Sequence, residues 1–452
     1  MDVRTVDETT VSVAAAVRYV AISVVLVGGF FLPTLVFNRY GKVLNTLLLL
    51  FILGLGSREL LSALFAFSSV ETPTIEDDAD VPSVSVVIPA YNEEPVLPGT
   101  IDACRNLDYP PEKLEVVICY EADSTDRTAE IAERAAAADD RFVAVERDEP
   151  GGGKAKATNY ALDYASGDLI ASIDADHRFE SDAVRRAVAW FLEDEGIGCV
   201  KGRCYGTNPT DSVLSLHATV ERHIAEKSNI FAREVFDGFT FFGGGQAFFR
   251  SAVFDELGRF DEDVLVEDID MSSRIHAAGM DLKVDPSIVT YEEHPASLDA
   301  WWNQRKRWAR GWMQVAVRYL PRVAQQTRLT RRQKVDAVLT YAAAIIPAVF
   351  IFSFPISGLN AISSIDTATY VPNAELLWTL VGAVPVLTAY LVFAQDWRDG
   401  HEHHLAEYLA AFTLGPYFMV QTIVYVVAFL DEFVLDSPSV YVTTTRSEQS
   451  NG

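Results

Sequence analysis

Two carboxylates stand two residues apart at Asp174–Ala175–Asp176, directly after the apolar run Leu169–Ile173. Where a strand ends and the chain turns, such a pair can approach one hard divalent cation. Mg²⁺ or Mn²⁺ takes carboxylate oxygens and leaves positions for phosphate oxygens. A cation held there would stabilise charge on a departing phosphate group. Spacing alone makes this a weak signal, since Asp-X-Asp occurs on many surfaces. Gln304–Arg305–Lys306–Arg307–Trp308 adds cations and an aromatic plate on successive helical turns. Arg307 could offset anionic charge on a ligand and Trp308 could stack on a flat ligand face; membrane anchoring is the alternative, and extends to Trp301 and Trp312. Phe241–Phe–Gly–Gly–Gly–Gln246 offers backbone without side chains, which permits close approach of a ligand or makes a plain turn. Gly151–Gly–Gly–Lys154 lacks the GxxxxGK[ST] spacing of a phosphate-binding loop, and Ala155 stands where the hydroxyl belongs.

The elements that must position these residues alternate. Val84–Pro89, Glu115–Tyr120, Phe142–Glu146 and Leu169–Ile173 read as short buried strands, and Thr128–Ala138 and Ala155–Ala165 as helices between them. Strands separated by helices imply βαβ units and a mainly parallel, doubly wound sheet, which binds ligands at the carboxyl ends of its strands. The polar clusters Tyr91–Glu94, Glu121–Asp126 and Asp174–Asp176 fall there.

The 452 residues carry 63 acidic and 37 basic side chains, a net charge of −26, with 49% hydrophobic residues. The balance reads as an acidic solvated surface and argues against a nucleic-acid partner. Apolar blocks flank a polar middle: Tyr19–Phe37 and Val43–Phe67 before it, and Ala337–Leu359, Leu376–Ala394 and Tyr408–Leu430 after it. Each approaches the ~20 residues a bilayer demands. Arg58–Glu59 interrupts the second run, and the two charges could pair. Trp301–Lys334 holds ten basic and no acidic residues, interleaved with Trp301, Trp302, Trp308, Trp312 and Tyr319. A basic, aromatic amphipathic helix at an anionic membrane surface accounts for this inversion of charge. The organisation read from the chain is therefore two membrane helices in 1–70, a linker 71–82, a catalytic domain 83–300, interfacial helices 301–335, about three membrane helices in 336–433 and a polar tail 434–452. Arg398 against a base-free Ser363–Glu375 puts the middle domain in the cytoplasm, although the Arg39–Lys42 loop then falls outside. A hairpin broken at Gly415–Pro416 would return the tail inside. Cys104, Cys119, Cys199 and Cys204 read as reduced packing residues. His401, His403 and His404 read as a titratable loop, with no carboxylate partner fixed by pattern.

Six segments occur in order: Pro89–Ala–Tyr–Asn–Glu–Glu94, Glu121–Ala–Asp–Ser–Thr–Asp–Arg–Thr128, Gly153–Lys–Ala–Lys–Ala–Thr–Asn159, Asp174–Ala–Asp176, Glu267–Asp268 and Gln304–Arg–Lys–Arg–Trp308. In this order the chain resembles family 2 glycosyltransferases, in particular their membrane-integrated, cellulose- or hyaluronan-synthase-like branch, over roughly residues 83–312. The resemblance implies a GT-A-type α/β domain and an inverting transfer from a nucleoside-diphosphate sugar, a UDP-sugar foremost, to a lipid-linked or polysaccharide acceptor. It implies donor contacts at Ala90, Tyr91, Glu93, Glu121, Asp123 and Lys154, with Asp174 and Asp176 holding Mg²⁺ or Mn²⁺. Asp268 becomes the general base, with Asp270 its rival or a helix cap, and Gly244, Gln304, Arg307 and Trp308 border the acceptor and diphosphate. Glu121–Ala122 departs from the family's usual Asp-Asp pair, which leaves the nucleobase open; capping is the other role for Glu121 and Asp126. Tyr441–Val–Thr–Thr–Thr–Arg446 faintly resembles the gating segment of cellulose-type synthases, so a processive synthase is the alternative. A membrane scaffold with a degenerate domain is the non-enzyme alternative.

Overall fold

The computed structural model describes residues 2–4, 13–37, 39–75, 78–149, 151–352, 354–357 and 366–442. Its centre is an eight-stranded sheet. The strands are β1 (Val84–Ala90), β2 (Leu114–Glu121), β3 (Phe142–Arg147), β4 (Leu169–Ile173), β5 (Arg178–Phe179), β6 (Ile197–Gly206), β7 (Gln246–Arg250) and β8 (Asp281–Glu292), in the order β3-β2-β1-β4-β7-β6-β8-β5. Strands β1 to β4 are parallel, as near-continuous apolar runs buried on both faces require. The second half departs from the expected mainly parallel sheet. Strand β7 runs antiparallel to both β4 and β6, so the sheet is mixed. The cause lies in Gly243–Gly245, which turn the chain back along β4 immediately before Gln246; periodicity does not reveal this.

Register aligns the strand ends. Ala90 pairs with Tyr120 and Glu121 with Arg147, so the three loops after β1, β2 and β3 emerge side by side. The loops after β1 and β2 also hold one another: Thr125 N–H donates to Asn92 Oδ1 at 2.7 Å, and Glu94 N–H to Asp126 Oδ2 at 2.9 Å. Asp126 Oδ1 takes Thr128 N–H at 2.9 Å, which is the capping role rather than a ligand contact.

Around the sheet lie α1 (Val13–Val36), α2 (Tyr40–Phe65), α3 (Thr128–Ala138), α4 (Gly153–Ala161), α5 (Val213–Ile224), α6 (Glu267–Ala278), α7 (Leu298–Tyr319), α8 (Arg331–Ile351), α9 (Ala374–Arg398) and α10 (Leu414–Phe433). Among the described residues four helices are long and apolar enough to cross a membrane: Ala14–Val36, Tyr40–Phe65, Ala374–Arg398 and Leu405–Phe433. The expected span Ala337–Leu359 is not among them; α8 covers its first part, and residues 353, 358 and 359 lie outside the described residues. Arg58 and Glu59 do not pair with each other. Arg58 reaches Asp336 at 2.6 Å, and Glu59 accepts from Ser228 Oγ at 2.6 Å.

No hairpin breaks at Gly415–Pro416, because both residues sit in the first turn of α10, where proline is tolerated. Helix α10 touches the central domain near both ends: Tyr417 donates to Glu221 at 2.7 Å, and Arg310 reaches Glu432 at 2.9 Å. Arg310 also donates to the carbonyls of Ser437 (2.7 Å) and Pro438 (3.0 Å), which keeps the start of the tail beside α7. The Tyr441–Arg446 segment lies mostly outside the described residues; Val440–Val442 pairs with Asp2–Arg4.

Candidate active site

One cavity of about 380 Å³ opens at the carboxyl ends of β1, β2 and β4. Every site residue read from the sequence lines it: Ala90, Tyr91, Glu93, Glu121, Asp123, Lys154, Asp174, Asp176, Gly244, Asp268, Gln304, Arg307 and Trp308. Segments separated by up to about half the chain thus share one space, because parallel strands deliver their following loops to one edge.

The carboxylates are held in a tight turn. Asp174 N–H donates to Gly245 O at 3.0 Å, and His177 N–H closes back on Asp174 O at 3.0 Å. Asp176 is buried, with Oδ1 3.1 Å from His177 Nδ1, and His177 Nε2 lies 3.3 Å from Glu292. Burial lowers the His177 pKa, but Cys204 and Asp176 outweigh it and hold it well above the usual histidine value. Gly245 is required here: at φ +69° a side chain is strained, and a Cβ would collide with the His177 ring. Atoms of Asp174, Asp176 and His177 lie within 4.8 Å of one another, and the two carboxylates supply the oxygen donors that fit a divalent cation. Lys154, at the start of α4, places its ammonium 2.5 Å from Asp174 and 3.4 Å from Glu267, so this acidic corner already holds one positive charge.

Elsewhere in the cavity lining, Glu121 is buried against Arg147, with Arg147 Nε donating to Oε1 at 2.9 Å. Burial raises the Glu121 pKa and Arg147 opposes it. Sequence pattern does not single out Arg147; only its position at the end of a strand next to Glu121 marks it, and that needs the register.

Asp268 sits in the first turn of α6, half-buried, with Oδ1 accepting Ile269 N–H at 2.8 Å and Oδ2 facing Gly244. Burial, then the neighbouring Glu267 charge, push its pKa up to about 7, against Lys154 and the backbone N–H groups of Ile269 and Gly244. A carboxylate with that affinity for a proton is matched to general-base work near neutral pH. Asp270 does not line this cavity. It is buried and consumed by Arg274 (2.9 Å), Arg318 (2.9 Å) and Tyr319 (2.8 Å).

Helix α7 forms the far wall, and its composition is explained mainly from inside the protein. Trp301 is fully buried and donates to Tyr417 at 2.9 Å, while Trp312 packs edge-on against Phe241 at 5.2 Å. Anchoring of Trp301 and Trp312 in a membrane is therefore replaced by packing. Arg305 pairs with Glu221 (2.7 Å), Lys306 with Asp431 (3.3 Å), Arg310 with Glu432 (2.9 Å) and Arg318 with Asp261 (2.5 Å). Arg305 also lies over the Trp308 ring, 4.5 Å from its centroid.

A family model described as glycosyltransferase-like family 2 matches residues 82–311. The chain belongs to this family. Among curated proteins it is 31% identical over 57% of its length to a probable glycosyltransferase, YdaM, of Bacillus subtilis (61% of that protein). It is 28% identical over 57% of its length to a beta-monoglucosyldiacylglycerol synthase of Nostoc (54% of that protein). It is 30% identical over 56% of its length to a poly-beta-1,6-N-acetyl-D-glucosamine synthase of Staphylococcus aureus (60% of that protein). The chain thus spans little more than half the length of these relatives. Its fold matches a mannosyltransferase of Pyrobaculum calidifontis, solved with GDP-Man and Mn²⁺, with a TM-score of 0.53 at 21% identity over 93% of this chain and all of that one. The α/β domain is accordingly of GT-A type.

Proposed function

We propose that this family 2 glycosyltransferase is a membrane-bound, inverting enzyme of the synthase-like branch. It moves a sugar from a nucleoside-diphosphate sugar, a UDP-sugar foremost, to a lipid-linked or polysaccharide acceptor at the cytoplasmic face. The observation that carries this is the placement of Asp268, with its raised affinity for a proton, in the same cavity as Asp174 and Asp176. Asp268 takes the proton of the acceptor hydroxyl, and that oxygen attacks the anomeric carbon. The new C–O bond forms as the bond to the diphosphate breaks on the opposite face, so the configuration inverts. Lys154 and Arg307 balance charge on the leaving diphosphate. Tyr91, Glu93 and Asp123 border the nucleoside with Ala90, and Arg147 fixes the Glu121 carboxylate against them. Gly244 lets the acceptor approach Asp268 closely, with Gln304 and Trp308 beside it. Asp174 and Asp176 would hold Mg²⁺ or Mn²⁺, which supplies positive charge to the diphosphate when bound; a relative in fold is named as a complex with Mn²⁺ and GDP-Man.

Two acceptor classes follow from two relatives, one named a glycolipid synthase and one a polysaccharide synthase. Membranes containing the protein, supplied with a panel of radiolabelled sugar nucleotides, separate them. Product that partitions into organic solvent means a lipid acceptor, and insoluble polymer means a processive synthase. No transfer from any donor, with Asp268→Asn indistinguishable from the unchanged protein, sinks the enzyme reading. Asp176→Ala should lose metal-dependent nucleotide binding, measured by calorimetry, while Asp268→Asn keeps it.

A further inference from the structure

Eight of the ten cations of residues 301–334 divide into two sets, apart from Arg307 at the cavity and Lys334. Arg305, Lys306, Arg310 and Arg318 are spent on carboxylates of the protein itself. Arg322, Arg328, Arg331 and Arg332 are exposed, and among the described residues no carboxylate lies within ion-pair distance of them. They are gathered by the fold: Lys334 reaches back to Ala324 O at 3.4 Å, so the first turn of α8 folds against 320–325, and Arg328 lies along Gly279. Four clustered, uncompensated arginines in a chain of net charge −26 repel one another, and two of them stand in the first turn of α8, where the helix dipole disfavours cations. The next turns of the same helix expose Val335, Val338 and Leu339. A cationic collar directly above an exposed apolar face is the pattern of a bilayer boundary, with phosphates at the collar and acyl chains below it. Trp397 near the end of α9 is 75% exposed, and tryptophan favours a membrane–water boundary.

We propose that Arg322, Arg328, Arg331 and Arg332 form a binding site for the phosphates of anionic lipid headgroups, which fixes how the catalytic domain sits on the membrane. This rests on the membrane-bound reading above. The charge, not a soluble ligand's shape, selects the occupant, because the collar opens onto the apolar face rather than into a cavity.

The test is electron paramagnetic resonance on the full chain reconstituted in phosphatidylcholine bilayers, with trace spin-labelled phosphatidylglycerol compared against spin-labelled phosphatidylcholine. The expected result is preferential immobilisation of the anionic label, weakened by salt through screening. Each Arg→Gln substitution lowers that preference by about fivefold at the site, and the four together remove it. The matching Arg→Lys set keeps it, and nucleotide binding in all variants is unchanged. Equal immobilisation of both labels overturns the proposal, as does a preference that survives the four Gln substitutions. Loss of the preference to millimolar inorganic phosphate reassigns the collar to a soluble anion and also overturns it. Should the fourfold variant not fold, the single substitutions decide the matter in the same way. Failure of the chain to enter bilayers at all would instead count against the membrane-bound reading.

Discussion

At the residue scale the site is a set of carboxylates given different tasks by different neighbours. Asp270 is neutralised by two arginines and a tyrosine; Glu121 is clamped by Arg147; Asp268 has one nearby cation and a like charge beside it. Replacing Asp268 by Asn should cut sugar transfer by about 10²–10⁴-fold. It should also raise thermal stability, since a poorly solvated charge is removed. The pH dependence follows from the direction of the shift. A carboxyl raised to about 7 in the folded chain adds stability below its unfolded value, and that contribution is lost as pH rises through 7. Transfer runs the other way, rising with pH through the same range as Asp268 becomes a base. Rates and unfolding temperatures measured between pH 5.5 and 8.5 should therefore show opposite trends in the parent, and Asp268→Asn should flatten the stability trend. Parallel trends would remove Asp268 from the role of base.

At the element scale strand register and turn geometry carry the site. Arg147 and Glu121 meet because β3 and β2 pair in a register that places them side by side. Arg147→Met should leave Glu121 buried without its partner and cost about 3–5 kcal/mol, read as a lowered denaturant midpoint, whereas Arg127→Met at the exposed Glu94 pair should change stability by less than about 1 kcal/mol. Gly245→Ala forces a side chain onto His177 at positive φ, at a cost of about 1–3 kcal/mol. It should disturb metal-dependent nucleotide binding before it unfolds the sheet. The histidine loop is likewise an element-scale matter. His403 lies 3.0 Å from Asp396 and 3.2 Å from Glu407. Burial lowers its pKa, but those hydrogen bonds outweigh it and bring it up to about 9. His403 is therefore a fixed, charged link between α9 and the start of the Leu405–Phe433 span, whereas burial lowers the His401 pKa.

At the scale of the whole molecule the catalytic domain and the apolar helices are tied by buried ion pairs, among them Arg203–Asp396 and Arg233–Asp336. The candidate span Leu405–Phe433 engages the domain along its length, from Glu407 with His223 at 3.0 Å to Glu432 with Arg310. We propose that it lies against the domain rather than crossing away from it, and that the start of the tail shares the domain's side. A single cysteine placed at Ser437 should be labelled by a membrane-impermeant reagent only from the side that also labels a catalytic-domain cysteine. Labelling from the opposite side would refute this topology.

The sequence by itself determined the family resemblance, the parallel half of the sheet, the apolar flanks and residues that line the central cavity, because each depends on local order: a strand, the polar loop after it, an apolar run of sufficient length. Tertiary structure decided what depends on partners distant in the chain. The antiparallel β7, the Arg147 clamp on Glu121, the exclusion of Asp270 and the internal pairing of four cations on α7 all rest on contacts between residues that periodicity cannot relate. Composition counts charges, but only the fold says which of them are answered inside the protein and which, like the arginine collar, are left facing outward.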